Sequence, residues 1–451
     1  MIKKHNFFEY PGYILFFLML FAPISYKSIK VVFIIIVLAV ILISIALKKT
    51  SRIPLHKTVL ALTFFYTCIG LFFTLIGSFK GAPGAIAVST VHVIWPWLYL
   101  LFILGLNKKK FLISMLKVMV FSTLLIELYA LSYVLSMKGI IPNFLYVELD
   151  LGQNIGFYSG YTEFALNSIG SLVFLLPFTF AALCVWKSEK EIPIRRVWLW
   201  LSLILGLLVL MLSGRRAFIL TTALSPFFLI ILVMFFPKIR RKAISSSLRR
   251  LLVLSGFITI FGFLYLKIVM DYDFSGFQEM VYSAFDFNDH SNESSYLRLL
   301  QTHALINGWG ENPFLGAGLG AKAELIRSEE QPWAYELQYL AYLFQTGLVG
   351  IISYACGLLW IFIQGIRMIR VGKIESIMIT PLLVGLACFL LANASNPYLS
   401  KYDYLWVIFL PIAYINYWLI NQPVQLDSEE TSQIETLQPV KRRKFKRYKI
   451  N

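Results

Sequence analysis

Apolar residues run along this chain in long unbroken stretches separated by short polar turns. Twelve stretches are long enough to matter in a bilayer: 10–26, 29–47, 57–78, 86–106, 111–136, 164–186, 195–213, 216–236, 250–270, 336–364, 376–394 and 403–420. A helix needs about 20 mostly apolar residues to cross the hydrocarbon core, and only helices and closed barrels satisfy their backbone there. The stretches do not alternate apolar with polar positions, which excludes a barrel. The pattern therefore predicts an all-α polytopic integral membrane protein with about twelve transmembrane helices. An even number of spans places both termini on one side. The segment 271–335, between spans nine and ten, is too polar to insert and too long for a turn, and predicts a small helical extracytoplasmic cap. The expected organisation is spans one to nine in 1–270, the cap in 271–335, spans ten to twelve in 336–420, and a basic, disordered cytoplasmic tail in 421–451.

Composition sharpens this. Of 451 residues, 58% are hydrophobic and 14% charged, with mean hydropathy +0.71, where a soluble domain carries roughly 25% charged residues. Soluble multidomain enzymes, secreted disulfide scaffolds, coiled coils and disordered proteins are excluded. Cys68, Cys184, Cys356 and Cys388 each stand alone in an apolar run and read as packing residues, implying neither a disulfide nor a metal. A net charge of +17 would suggest nucleic acid in a soluble chain. Placing the termini in the cytoplasm instead puts 30 of the 41 Lys and Arg inside and 11 outside, the bias of inserted proteins. No nucleic-acid partner is expected, and the basic tail (Lys441, Arg442, Arg443, Lys444, Lys446, Arg447 and Lys449) is expected to meet anionic membrane lipids. The first apolar run lacks a small-residue cleavage site and reads as span one. The cap sets ten acids (Asp271, Asp273, Glu279, Asp286, Asp289, Glu293, Glu311, Glu324, Glu329, Glu330) against Arg298, Lys322 and Arg327, a net of −7. A second outer loop, 137–163, is placed to rim the same cavity, and no internal repeat of the transporter type is visible.

Four features break the pattern. Ser213-Gly214-Arg215-Arg216-Ala217 sets two arginines in an outer hairpin with almost no spacer. An arginine facing lipid at mid-bilayer costs at least about 2.5–3.5 kcal/mol. Either the pair snorkels to the headgroups, or a polar cavity or anionic ligand receives it. Residues 296–306 have helical periodicity, with Arg298 and Thr302 four apart on one face. They lead into Asn312-Pro313-Phe314-Leu315-Gly316-Ala317-Gly318-Leu319-Gly320, a tight turn whose exposed backbone N–H groups are expected to face an anion. His303 on that helix reads as a cap-packing residue or a base. Glu336 opens span ten, where a carboxylate at a helix N-terminus serves as a cap or as a functional acid. Glu127 lies deep in span five, where it is a functional acid or the partner of His92 in span four.

These features, in this order and on one side, resemble the bacterial O-antigen polymerase and O-antigen ligase superfamily. Its pattern is a small-residue-plus-arginine hairpin, a long extracytoplasmic loop with an arginine helix and an Asn-Pro-x-x-Gly-x-Gly turn, then a helix ending in Thr-Gly-Leu-x-Gly. The matching elements are Ser213 to Ala217, Arg298 to Gly320, and Tyr335 to Gly350, within roughly 195–365. The histidine of the family's His-Asn-x-Tyr-Leu run falls on Glu336 and its asparagine on Leu337, while Tyr339 and Leu340 keep the pattern. That loss favours a polymerase over a lipid A-core ligase.

The resemblance implies a multi-pass protein of the bacterial cytoplasmic (inner) membrane with its active site on the extracytoplasmic face. It implies a glycan donor on undecaprenyl or another polyprenyl pyrophosphate, an acceptor hydroxyl, no cofactor and no metal. A polymerase of lipopolysaccharide O-antigen, capsule or exopolysaccharide repeats fits that description, working by inverting glycosyl transfer with a chain-length regulator as a further partner. Cleavage of the anomeric C–O bond puts charge on the pyrophosphate, so arginines at the membrane surface suit the transition state. Arg215, Arg216 and Arg298 are assigned to the pyrophosphate, with Arg327 as a further candidate. Glu336 is the expected general base, and His303, Tyr339 and Glu127 are expected to support it. The rivals are a ligase of the same superfamily and, from another class, a lipid-linked oligosaccharide flippase or transporter.

Overall fold

The computed structural model describes residues 9–47, 54–106, 108–158, 161–187, 192–270 and 293–422. Residues 271–292 of the expected cap, with Asp271, Asp273, Glu279, Asp286 and Asp289, lie outside them, as does the basic tail from 423. Ten helices precede the cap: α1 Tyr10–Phe21, α2 Lys27–Leu47, α3 Lys57–Phe79, α4 Ala85–Ser89, α5 Trp95–Gly105, α6 Lys109–Met137, α7 Ile169–Val185, α8 Arg196–Ser213, α9 Arg216–Val233 and α10 Lys238–Met270. In the cap lies α11, Glu293–Glu311, followed by α12 Gln338–Val371, α13 Ile374–Ala392 and α14 Trp406–Ile420. A π-helical turn, Thr90–Ile94, joins α4 to α5.

The protein is an all-α polytopic membrane protein. Among the described residues, nine helices are long and apolar enough to cross a membrane, counting Ala85–Gly105 as one. Helices α1 and α7 are apolar but shorter, at 12 and 17 residues, and α2 has 21. Several boundaries move from the expected ones. The first helix stops at Phe21, because Ile24 and Tyr26 take φ of 71° and 53°. Residues 164–165, expected to begin a span, instead end β2 (Tyr161–Ala165), paired antiparallel with β1 (Asn154–Tyr158). Buried Phe164 beside exposed Glu163 shows the period of two that makes this piece a strand rather than a helix.

The core forms around α7, whose residues are buried from Ile169 to Val185. A helix apolar on every side belongs inside a bundle. It packs against α13, α8 and α9, and α12 and α14 cover α13. Prolines inside these helices leave carbonyls one turn earlier without their N–H, and in a membrane a neighbour must replace it. Pro226 frees the Thr222 carbonyl, which accepts from Ser225 Oγ at 2.7 Å. Pro381 frees the Ile377 carbonyl, which accepts from Trp186 Nε1 at 2.7 Å.

The turns gather at two ends. One is basic: Arg240 Nη1 donates to the Gly372 carbonyl at 2.8 Å, and Arg370 lies over the Phe235 ring. At the other, Lys30 Nζ meets Asp403 Oδ1 at 2.5 Å and donates to the Ala22 carbonyl at 2.6 Å, with both charged side chains buried. This second end carries the hairpin 213–217 and the cap, and is the end that the charge pattern assigns to the outside.

Candidate active site

The site is built where the cap meets the start of α12. On α11, Arg298 and Gln301 stand three residues apart and share a face. Buried Gln301 accepts the Glu336 backbone N–H at 3.2 Å through Oε1. Arg298 Nε donates to Glu336 Oε2 at 2.8 Å. From the irregular segment before α12, Arg327 Nη2 lies 2.6 Å from Glu336 Oε1. One carboxylate thus spends its two oxygens on two guanidiniums that arrive from different segments. The three side chains are 32%, 39% and 20% exposed (Arg298, Arg327 and Glu336). Water screens such pairs, which contribute only about 0.2–1 kcal/mol each. The cluster is positive overall and accessible, a combination suited to an anion.

Two devices hold it. Leu305, Ala321, Ala323, Tyr335, Ala341 and Phe344 form a small apolar core beneath the cap. Within it the Tyr335 hydroxyl accepts the Ala323 N–H at 2.6 Å, and burial pushes that phenol up despite the opposing amide.

The second device is the glycine turn, and it corrects the expectation that its N–H groups face an anion. They are used in the protein. Gly347 takes φ 62° and ψ −168° and breaks α12. Across the break the Phe344 and Gln345 carbonyls accept from Ala317 N at 2.9 Å and Gly318 N at 2.8 Å. On the other side Leu348 N and Val349 N donate to the Pro313 and Phe314 carbonyls at 3.0 and 3.1 Å. Leu319 N donates to the Phe73 carbonyl of α3 at 3.0 Å, and Gly316 N returns to the Asn312 carbonyl at 2.8 Å. The turn repairs a helix break, satisfying backbone groups that would otherwise cost about 1–3 kcal/mol each. Trp309 Nε1 donates to the Pro313 carbonyl at 3.0 Å, fastening α11 to the same turn.

Arg215 sits at the same end. Gly214 closes α8 with φ 61°, and Arg215 precedes the first turn of α9. Its positive charge acts on Tyr398, in the turn between α13 and α14; burial raises that phenol and Arg215 pulls it back down. The neighbouring turn residue Leu399 donates its N–H to Asn393 Oδ1 at 3.0 Å. Tyr339, near the start of α12, donates to the Leu390 carbonyl near the end of α13 at 2.5 Å. Arg216 begins α9 next to Arg215.

Other expected residues fall elsewhere. Glu127 is fully buried between α6 and α8, where Oε1 accepts from Ser202 Oγ at 3.1 Å. His92 pairs with the Tyr354 hydroxyl at 3.0 Å, so the expected Glu127–His92 pair does not form. His303 is exposed on α11 and does not pack in the cap. Sequence reasoning missed Gln301, although its spacing from Arg298 on a helix was a usable signal. It also missed Tyr398, which nothing in the sequence distinguishes from the other tyrosines.

Residues 201–355 match a family model described as O-antigen ligase. The match supports the O-antigen polymerase and ligase superfamily, and its range includes Arg215, Arg216, Arg298, Arg327 and Glu336. No curated protein matches the chain.

Proposed function

We propose a polymerase of polyprenyl-pyrophosphate-linked oligosaccharide repeat units, a reading supported by the match of residues 201–355 to a family model described as O-antigen ligase. The observation that carries the reading is the convergence of Arg298 and Arg327 on one accessible point beside α12. In this reading both termini are cytoplasmic and the arginine end faces outward. The charge pattern supports that orientation, with the basic end toward the cytoplasm.

Arg298 and Arg327 bind the donor pyrophosphate, with Arg215 and Arg216 assigned to the same anion from the α8–α9 hairpin. Fixed guanidiniums stabilise the charge that grows on the leaving group, and their planar forks match phosphate oxygens in pairs. The acceptor hydroxyl attacks the anomeric carbon from the face opposite the leaving group, which inverts that centre. Glu336 is the acid closest to the arginines and takes the proton. A lipid-linked acceptor makes the product a longer lipid-linked chain, the form on which a chain-length regulator would act.

The family's description favours a second reading, a ligase that moves a finished glycan to lipid A-core or another acceptor. Glutamate at position 336, where the family's histidine falls, favours the polymerase. The test is purified protein in nanodiscs supplied with a synthetic lipid-linked repeat as both donor and acceptor. The reading predicts a ladder of products from wild type and none from Arg298→Ala. Absence of any ladder from active wild-type protein would overturn the polymerase.

A further inference from the structure

The double pairing of Glu336 bears on how its proposed role as base is controlled. Both Glu336 oxygens are engaged by guanidiniums, so neither is open to a proton from an acceptor hydroxyl while those contacts last. A carboxylate and a phosphate present similar oxygens to an arginine fork, so both suit the same place between Arg298 and Arg327. The pairs are partly exposed, and exposed pairs are weak. Glu336 is held by its backbone, through Gln301 and through the bond from Gln338 N to its carbonyl at 3.0 Å, so its side chain can swing without moving the chain.

We infer that Glu336 competes with the donor's pyrophosphate for Arg298 and Arg327, and that donor binding frees the carboxylate to act as base. This inference rests on the arginine–pyrophosphate reading above. Pyrophosphate brings more charge and more acceptor oxygens than one carboxylate, and it takes both guanidiniums. Glu336, its oxygens free, then swings toward the face of the anomeric carbon that the acceptor hydroxyl approaches. The acceptor oxygen forms its bond to the anomeric carbon as the bond from that carbon to the pyrophosphate oxygen breaks. The electron pair stays on the pyrophosphate, and the hydroxyl proton passes to Glu336. When the polyprenyl pyrophosphate departs, the proton passes to water and the guanidiniums return to the carboxylate. Access to the base is thereby coupled to donor occupancy, which keeps the carboxylate masked until a glycan is in place.

The test is calorimetric titration of full-length protein in nanodiscs with inorganic pyrophosphate, alongside product formation from a lipid-linked repeat. Glu336→Gln and Glu336→Ala should each bind pyrophosphate about fivefold to tenfold tighter than wild type, the scale of one or two partly exposed ion pairs, and both should lose product formation. Arg298→Ala and Arg327→Ala should bind it more weakly. If the arginine variants lose affinity while both Glu336 variants bind no tighter than wild type, the competition is wrong and the arginine site stands. If the arginine variants bind like wild type, the pyrophosphate reading itself fails.

Discussion

Gly318→Ala tests the clamp that joins the cap to the bundle. A Cβ at Gly318 would lie 2.3 Å from both Cα and N of Gly77, which are backbone atoms of α3, and φ there is +98°. No rotamer relieves a clash between two backbones, so the turn must lift by roughly 1 Å to regain ordinary contact distance. The 2.8 Å bond to the Gln345 carbonyl and the 3.0 Å bond from Leu319 to Phe73 would then stretch past the range of useful hydrogen bonds, about 3.5 Å. Two lost bonds at about 1–3 kcal/mol each, plus about 1–2 kcal/mol for an alanine in the left-handed region, amount to about 3–8 kcal/mol of lost docking. The bundle core around α7 is untouched by this change. The expected result is normal membrane abundance, faster proteolysis within 293–335 and loss of long glycan. Gly310→Ala is the control: a Cβ there meets nothing within 4 Å, and alanine in a helix is favoured by up to about 1 kcal/mol. It should match wild type in both assays. A Gly318→Ala protein with wild-type protection and wild-type chain length would refute the clamp.

Further outcomes follow from other contacts. Lys30→Ala leaves Asp403 buried without its partner and should lower stability by about 3–5 kcal/mol, whereas Lys30→Met with Asp403→Leu should recover much of it; equal thermal unfolding of Lys30→Ala and wild type in detergent would contradict this. Arg215→Ala should abolish long polysaccharide at normal protein abundance, while Tyr398→Phe, which keeps the ring and loses only the hydroxyl, should shorten chains less; the reverse order on a glycan gel would take Arg215 out of the site. Glu127→Gln should leave the glycan profile unchanged, because its structural bond to Ser202 survives in the amide, while Glu336→Gln should abolish long chains. If Glu127→Gln were the more damaging, the chemistry would belong within the spans.

Much of the fold was legible because the bilayer imposes one rule on every span. Apolar length marked the membrane helices, while the hairpin 213–217, the α11 periodicity and Glu336 stood out as departures from that rule. What the sequence could not convey is who meets whom. The glycines of 316–320 looked like an anion-facing turn because exposed N–H groups and a bonded turn have the same residues; only the break at Gly347 reveals where those groups donate. Glu127 and His92 could be paired from their places in neighbouring spans, yet Ser202 and Tyr354 are their partners. Lys30 with Asp403, 373 positions apart, was invisible for the same reason. The end of the strand, 164–165, was read as the start of a helix because Phe164, Ala165 and Leu166 stand close before the apolar run of α7.

The account turns on whether Arg298 serves chain growth. The most direct measurement is a gel-resolved glycan profile of a deletion strain complemented with wild type or Arg298→Ala, scoring the number of repeat units on the final acceptor. A polymerase predicts long chains with wild type and a single repeat on the acceptor with Arg298→Ala, because transfer to the acceptor would continue. Long chains stranded on the polyprenyl carrier would establish a ligase instead, and an unchanged profile would contradict the site altogether.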